Sequence, residues 1–168
     1  MADASTLTET TGAPAMDPYG RLAALGIELP PPPPPIANFL THVQCGSMLF
    51  LSGQGPRKVD GSLHTGKVGG AVSIEAAYDH ARLTGVNLIA VMHAATGDLR
   101  RVRRVVKLLG FVNCGGDFNE HPKVVNGCSD LFVEVFGERG AHARSAIGVA
   151  SLPNDISVEL EAVIEVCD

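Results

Sequence analysis

Apolar positions along the chain fall into two periods, and each period marks a kind of element. From Ser73 to Thr96 the residues Ala77, Ala81, Val86, Leu88, Val91 and Met92 recur at helical spacing. Ser73 stands where an N-cap is needed, Glu75 sits in the first turn where the helix dipole favours an acid, and Gly97 supplies the stop. Asp117 to Gly137 returns to the same period, opened by the D-x-x-E capping box of Asp117 and Glu120, with Pro122 near the first turn where a missing amide is tolerated. A shorter helix is predicted from Asp17, with Pro18 at its first position, Leu22 and Leu25 on its apolar face and Gly26 ending it.

Other segments read as strands. Ile36 to Gln44 and Ser47 to Leu51 form a predicted hairpin around Cys45-Gly46, and the apolar run Met48-Leu49-Phe50-Leu51 suits a buried central strand. Ser52-Gly53-Gln54-Gly55-Pro56 breaks that strand, and Asp60-Gly61 marks a turn before Gly69-Gly70. These glycines match neither GxGxxG nor the GK[ST] phosphate loop, so turn chemistry explains them. Val102 to Val112 is β-branched and aliphatic, and Ser145 to Leu152 and Ile156 to Val166 close the chain around the Pro153-Asn154-Asp155 turn. In the last of these, Val158, Leu160, Ala162, Ile164 and Val166 alternate with Glu159, Glu161, Val163 and Glu165, which predicts an edge-like strand with one wet or functional face. The order helix, β, β, α, β, α, β, β predicts an α+β domain with its helices on one face of a mixed sheet.

Residues 1–16 carry no apolar periodicity and are expected to be a disordered tail. Residues 17–35 join the short helix to six prolines, Pro30 to Pro35, which must run as an extended spacer because each has its φ locked and no amide hydrogen. The domain proper is expected over 36–168.

Composition then removes several classes of function. Hydrophobic residues make up 45% of the 168 and charged residues 18%, well inside the range of folding chains. Thirteen Lys and Arg against eighteen Asp and Glu give a net charge of −5, which disfavours nucleic acid and anionic membrane surfaces as general partners. No apolar run is long enough to cross a membrane, and the first sixteen residues lack the cationic start and apolar centre of a signal peptide, so a cytoplasmic protein is expected. Cys45, Cys114, Cys128 and Cys167 are scattered without a CxxC pair and fit reduced thiols. Cys114, His121 and Cys128 are the one set with a metal-like look, but their gaps exceed the usual zinc spacing, and no metal or cofactor is expected.

Two basic features remain. Arg100, Arg101, Arg103, Arg104 and Lys107 are dense enough to track a nucleic-acid backbone, yet no aromatic residue lies among them to stack a base, so a solvated strand entrance is the simpler reading. Arg144, in His142-Ala143-Arg144-Ser145-Ala146, stands at the start of an apolar strand, where a guanidinium must be paired, ligand-bound or solvated at the strand end.

Ala143-Arg144-Ser145, together with Ser52-Gly53-Gln54, Val125-Asn126 and Leu152-Pro153-Asn154-Asp155 followed by Val158-Glu159-Leu160-Glu161-Ala162, resembles the Rid family, also called YjgF or L-PSP proteins, over about Ile36 to Val166. The resemblance implies a chorismate-mutase-like α+β fold, a mixed sheet with two long helices on one face, and a homotrimer with ligand clefts between subunits. It further implies hydrolysis of enamines and imines such as 2-aminoacrylate to keto acid and ammonia, without metal or cofactor. By that resemblance Arg144 grips a substrate carboxylate, Glu159 handles water and proton transfer, and Ser52, Gly53 and Asn126 line the pocket. Phe39 and Ala146 fall at pocket positions where catalytic members carry Tyr and Cys, a departure that points to a different substrate. A non-catalytic trimer that binds small carboxylates is the alternative, and endoribonuclease activity, resting on Arg100 to Lys107 alone, is a third reading.

Overall fold

In the computed structural model, residues 17–32 and 38–167 are described. The expected tail and part of the proline spacer lie outside them. Asp17 caps the first helix, α1 (Pro18–Ala24), by accepting a hydrogen bond from the Gly20 amide at 2.9 Å, and Pro18 occupies the first turn as expected. The second helix, α2 (Ile74–Thr96), is capped by Ser73, whose hydroxyl accepts from the Ala76 amide, and is stopped by Gly97 at φ 71°, a left-handed conformation that glycine adopts freely.

Five strands form one sheet: β1 (His42–Cys45), β2 (Met48–Gln54), β3 (Val102–Asn113), β4 (Ala143–Val149) and β5 (Val158–Val166), in the spatial order β1-β2-β5-β3-β4. All neighbours are antiparallel except β3 and β4, which run parallel through the crossover helix α3 (His121–Phe136). Val158, Leu160, Ala162, Ile164 and Val166 of β5 and Val105, Leu108 and Val112 of β3 face α2 and α3 and are fully or almost fully buried. The helices therefore cover one face of a mixed sheet, as the α+β order requires.

Several boundaries differ from expectation for identifiable reasons. The expected start of the first strand, Ile36, lies outside the described residues; among those described the strand begins at His42, because β2 bulges between Leu51 and Gln54 and the ladder ends where residues 38–41 would need partners. Ser52-Gly53-Gln54, expected to break β2, instead belongs to that bulged end. The Asp117–Glu120 capping box does not form: α3 starts at His121, and Glu120 occupies the cap position without a side-chain cap, its carboxylate paired with Lys123. β4 starts two residues before Ser145 and stops at Val149, because its partner β3 ends at Asn113, the residue opposite Val149. β5 is the central strand and not edge-like; its acidic face is wet because no helix covers that side of the sheet.

Helix α3 comes close to α2 at Gly127, where a Cβ would fall on the Tyr78 carbonyl oxygen and within 3.0 Å of the Arg82 amide nitrogen. That approach sets the spacing between α3 and α2, while Gly110 of β3, where a Cβ would fall 2.6 Å from Val125 Cγ2, sets how closely α3 lies on the sheet. Gly127→Ala should lower stability by about 2 kcal/mol, the overpacking cost exceeding the gain in helix propensity. The midpoint of urea unfolding checks this.

Candidate active site

The register of β4 against β3 decides which way Arg144 points. Arg144 lies opposite Leu108, a fully buried residue of the helix-covered face, so its side chain rises toward α3. There Asn126 and Ser129, three residues apart on one side of α3, interrupt an otherwise apolar surface. Arg144 Nη1 donates to Asn126 Oδ1 at 2.7 Å and to Ser129 Oγ at 3.0 Å. Both hydrogens of that nitrogen are thereby used. Among the described residues no carboxylate pairs with Arg144, and its Nε and Nη2 hydrogens, the side-on fork that matches a carboxylate, make no hydrogen bond. Ala146, two residues on, shares this face, half-buried opposite Gly110.

A second group assembles on the other face. Glu159 lies opposite Phe111 in the central strand and projects from the side of the sheet that no helix covers. Its carboxylate rests directly over Gly53 of the β2 bulge, where any Cβ would collide with it. Burial, aided by the charge of Glu161, raises the Glu159 pKa above the ordinary carboxylate range. Beside Gly53, the Ser52 hydroxyl donates to the Leu40 carbonyl at 2.6 Å and its amide to the Thr41 carbonyl, which ties the segment carrying Phe39 to the bulge. Phe39 is 46% exposed.

The seven residues expected at the site thus form two sets. Arg144, Asn126 and Ala146 meet under α3, and Glu159, Gly53, Ser52 and the Phe39 segment meet on the open face. Within one chain the sheet and strand β3 separate Arg144 from Glu159. Ser129 was not expected; its signal is a hydroxyl three residues after Asn126 on a face that otherwise buries Val124, Val125, Cys128 and Leu131.

Other candidate chemistry is dispersed. Cys114 Sγ and His121 Nε2 are 3.5 Å apart, but Cys128 is buried against Gly85 of α2, burial raises its thiol pKa, and no cluster of three metal donors occurs among the described residues. Of the basic stretch, Arg100 pairs with Asp17 at 3.0 Å, Arg101 donates to the Thr96 and Cys167 carbonyls, Arg103 pairs with Glu165 at 3.1 Å, and Lys107 donates to Ser145. These cations are engaged within the chain and do not form a free strip. No helix among the described residues is long and apolar enough to cross a membrane.

A family model described as YjgF/chorismate mutase-like, with endoribonuclease in the same description, matches residues 19–161. The chain is similar to Protein TCP17 of Trypanosoma cruzi, with 44% identity over 151 residues covering 87% of this chain and 94% of that one. It is similar also to the 2-iminobutanoate/2-iminopropanoate deaminase of Salmonella typhimurium, with 35% identity covering 78% of this chain and 89% of that one. Among solved structures it matches the Agrobacterium tumefaciens protein Atu1372, described as of unknown function, with 43% identity, a TM-score of 0.84 and coverage of 89% and 92%.

Two outcomes follow from the geometry. The charged form of Glu159 is penalised in the folded chain, so the penalty is absent below 4.5, the ordinary glutamate value, grows as pH rises from there, and is fully present above the raised folded value. Glu159→Gln should therefore melt at a higher temperature than the wild type near neutral pH, and the difference should close by about pH 4, as thermal scans across pH would record. Gly53→Ala should displace the Glu159 carboxylate from the bulge, visible in a crystal structure of the variant as a changed Glu159 rotamer.

Proposed function

Because this chain belongs to the YjgF/chorismate mutase-like family, we propose that it hydrolyses reactive enamine or imine intermediates bearing a carboxylate, giving keto acid and ammonia. Arg144 carries this reading. A guanidinium held on one edge by neutral partners, with its other edge uncommitted, is built to receive an acid group. Relatives named as 2-iminobutanoate/2-iminopropanoate deaminases support the reaction class.

In the proposed mechanism the α-carboxylate of the substrate bridges Nε and Nη2 of Arg144. The Glu159 carboxylate takes a proton from a water molecule as its oxygen adds to the imine carbon, and returns that proton to the nitrogen. The tetrahedral carbinolamine then gives up its hydroxyl proton to the Glu159 carboxylate, which passes it to the amine nitrogen as the C–N bond breaks, the carbonyl forms and ammonia departs. A carboxyl whose pKa is raised by burial holds its proton more readily than an ordinary one, which suits it to this exchange.

Since Arg144 and Glu159 lie on opposite faces of one sheet, the reaction requires Glu159 of a neighbouring subunit to complete each cleft. A homotrimer satisfies that requirement with three equivalent clefts. The open face bears Phe50 and Ile147 at 47% and 45% exposure, an apolar surface suited to a second copy. A second reading, a trimer that binds small carboxylates without turnover, is favoured by Phe39 and Ala146, which carry neither a hydroxyl nor a thiol into the cleft. In either case the protein is expected to act without metal or cofactor.

An amino-acid oxidase coupled to the purified protein tests the proposal: imine disappearance should accelerate, and Arg144→Ala should reduce the rate at least a hundredfold. Saturable binding of pyruvate with no acceleration would establish the second reading, and an unchanged rate in Arg144→Ala would exclude the site. Sedimentation should give a trimer; a monomer that retains activity would exclude the shared cleft.

A further inference from the structure

Arg144 is the end of a longer run of hydrogen bonds that begins at the turn preceding β4. His142 Nδ1 lies 2.6 Å from the Gly140 carbonyl oxygen, and His142 Nε2 lies 3.1 Å from the Ser129 hydroxyl. Ser129 Oγ in turn lies 3.0 Å from Arg144 Nη1. Gly140 is pinned against α3, since a Cβ there would strike the Phe132 carbonyl, so the first acceptor of the run is fixed in position.

Elementary chemistry sets the direction of every bond. A carbonyl only accepts, so Nδ1 carries a proton. Burial is the largest influence on His142 and, against the opposing hydrogen bond to Gly140 and with Arg144 adding to the effect, lowers its pKa below the ordinary value, so the ring is neutral near pH 7 and Nε2 presents a lone pair. A guanidinium only donates, so the single hydroxyl proton of Ser129 goes to Nε2 and an oxygen lone pair turns toward Arg144. Without His142 the hydroxyl is free to rotate its proton toward Nη1, where it repels. Arg144 also borders an open depression of about 370 Å³ lined by Ser129, Asp130, Val133, Ala141 and His142, which gives an unanchored arginine room for other rotamers.

We infer that Ser129 and His142 are positioning residues for Arg144: the His142–Ser129 relay holds the Nη1 edge of the guanidinium so that its Nε–Nη2 edge faces the substrate carboxylate. This rests on the reading of Arg144 as the carboxylate-binding group. Neither Ser129 nor His142 touches the substrate; both act on affinity through the orientation of the cation. Asn126 supplies the second anchor and cannot replace the first, because each hydrogen of Nη1 needs its own acceptor.

Calorimetric titration of the full-length protein with pyruvate, together with steady-state kinetics in the oxidase-coupled assay, tests this. Ser129→Ala and His142→Ala should each weaken pyruvate binding about fivefold to tenfold and raise KM similarly, with kcat changed less than about twofold. His142→Gln, whose amide can donate to Gly140 and accept from Ser129, should recover binding to within about twofold of the wild type. If His142→Ala does not fold, Ser129→Ala and His142→Gln carry the same comparison. Equal losses in His142→Ala and His142→Gln would overturn the relay, since packing and not the acceptor would then be at work. Wild-type binding in Ser129→Ala and His142→Ala, with binding lost in Arg144→Ala, would overturn the inference and leave the reading of Arg144 standing. Undiminished binding in Arg144→Ala would overturn that reading, and the inference with it.

Discussion

A cation fixed by neutral partners is the constraint on which the site depends. Desolvating a guanidinium is costly unless its hydrogens find acceptors, and a carboxylate partner within the chain would meet that need while closing the site to a ligand. Here Asn126 and Ser129 satisfy one nitrogen of Arg144 and leave its charge unneutralised. The arrangement requires a β3–β4 register that sets Arg144 opposite Leu108, so that Arg144 faces the helices, and α3 to sit at one height above the sheet. The β3–β4 register gives the first, and the close approach of Val125 of α3 over Gly110 of β3 gives the second. Fold and site are therefore linked through a few backbone positions more than through the volume of the core.

The opposite face obeys a different logic. Glu159 is held in the central strand of the sheet, over a glycine of the β2 bulge, at a half-buried position that disfavours its charge. A chain selected for stability alone would place an uncharged residue there, so the acid points to use. Because the sheet lies between Glu159 and Arg144, the two groups cannot reach one ligand within a single chain. The exposed apolar side chains on the Glu159 face give a physical reason for copies of the chain to associate there, and association is what would bring the two sets to one ligand.

Much of this was legible in the sequence, and the exceptions are instructive. The helix from Ser73 to Gly97 could be read residue by residue because its cap, dipole charge, period and stop all agree, and β5 was equally plain from its alternation. The start of α3 was not: Asp117 and Glu120 have the spacing of a capping box, but the chain turns at Gly115 to Phe118 and the helix begins only at His121. The bulge in β2 was hidden for a related reason, since glycine at 53 and 55 reads equally well as a break or a bend, and only pairing with β5 decides between them. At the site, matching motifs singled out Arg144 and Asn126 separately, but not the hydrogen bond between them. Ser129 and His142 escaped notice because their roles depend on a register between β4 and α3 that no local pattern encodes. That Arg144 and Glu159 lie on opposite faces is likewise a fact of sheet topology, invisible until the parallel pair of β3 and β4 is known.

The most direct measurement is a crystal structure of the protein soaked with pyruvate. The account predicts a trimer in which the ligand carboxylate lies along the Nε–Nη2 edge of Arg144, with Nη1 still bound to Asn126 and Ser129 and with Glu159 of a neighbouring subunit within reach of the keto carbon. A ligand seated away from Arg144, or an assembly in which the Arg144 guanidinium is neutralised by a carboxylate of the protein, would contradict it.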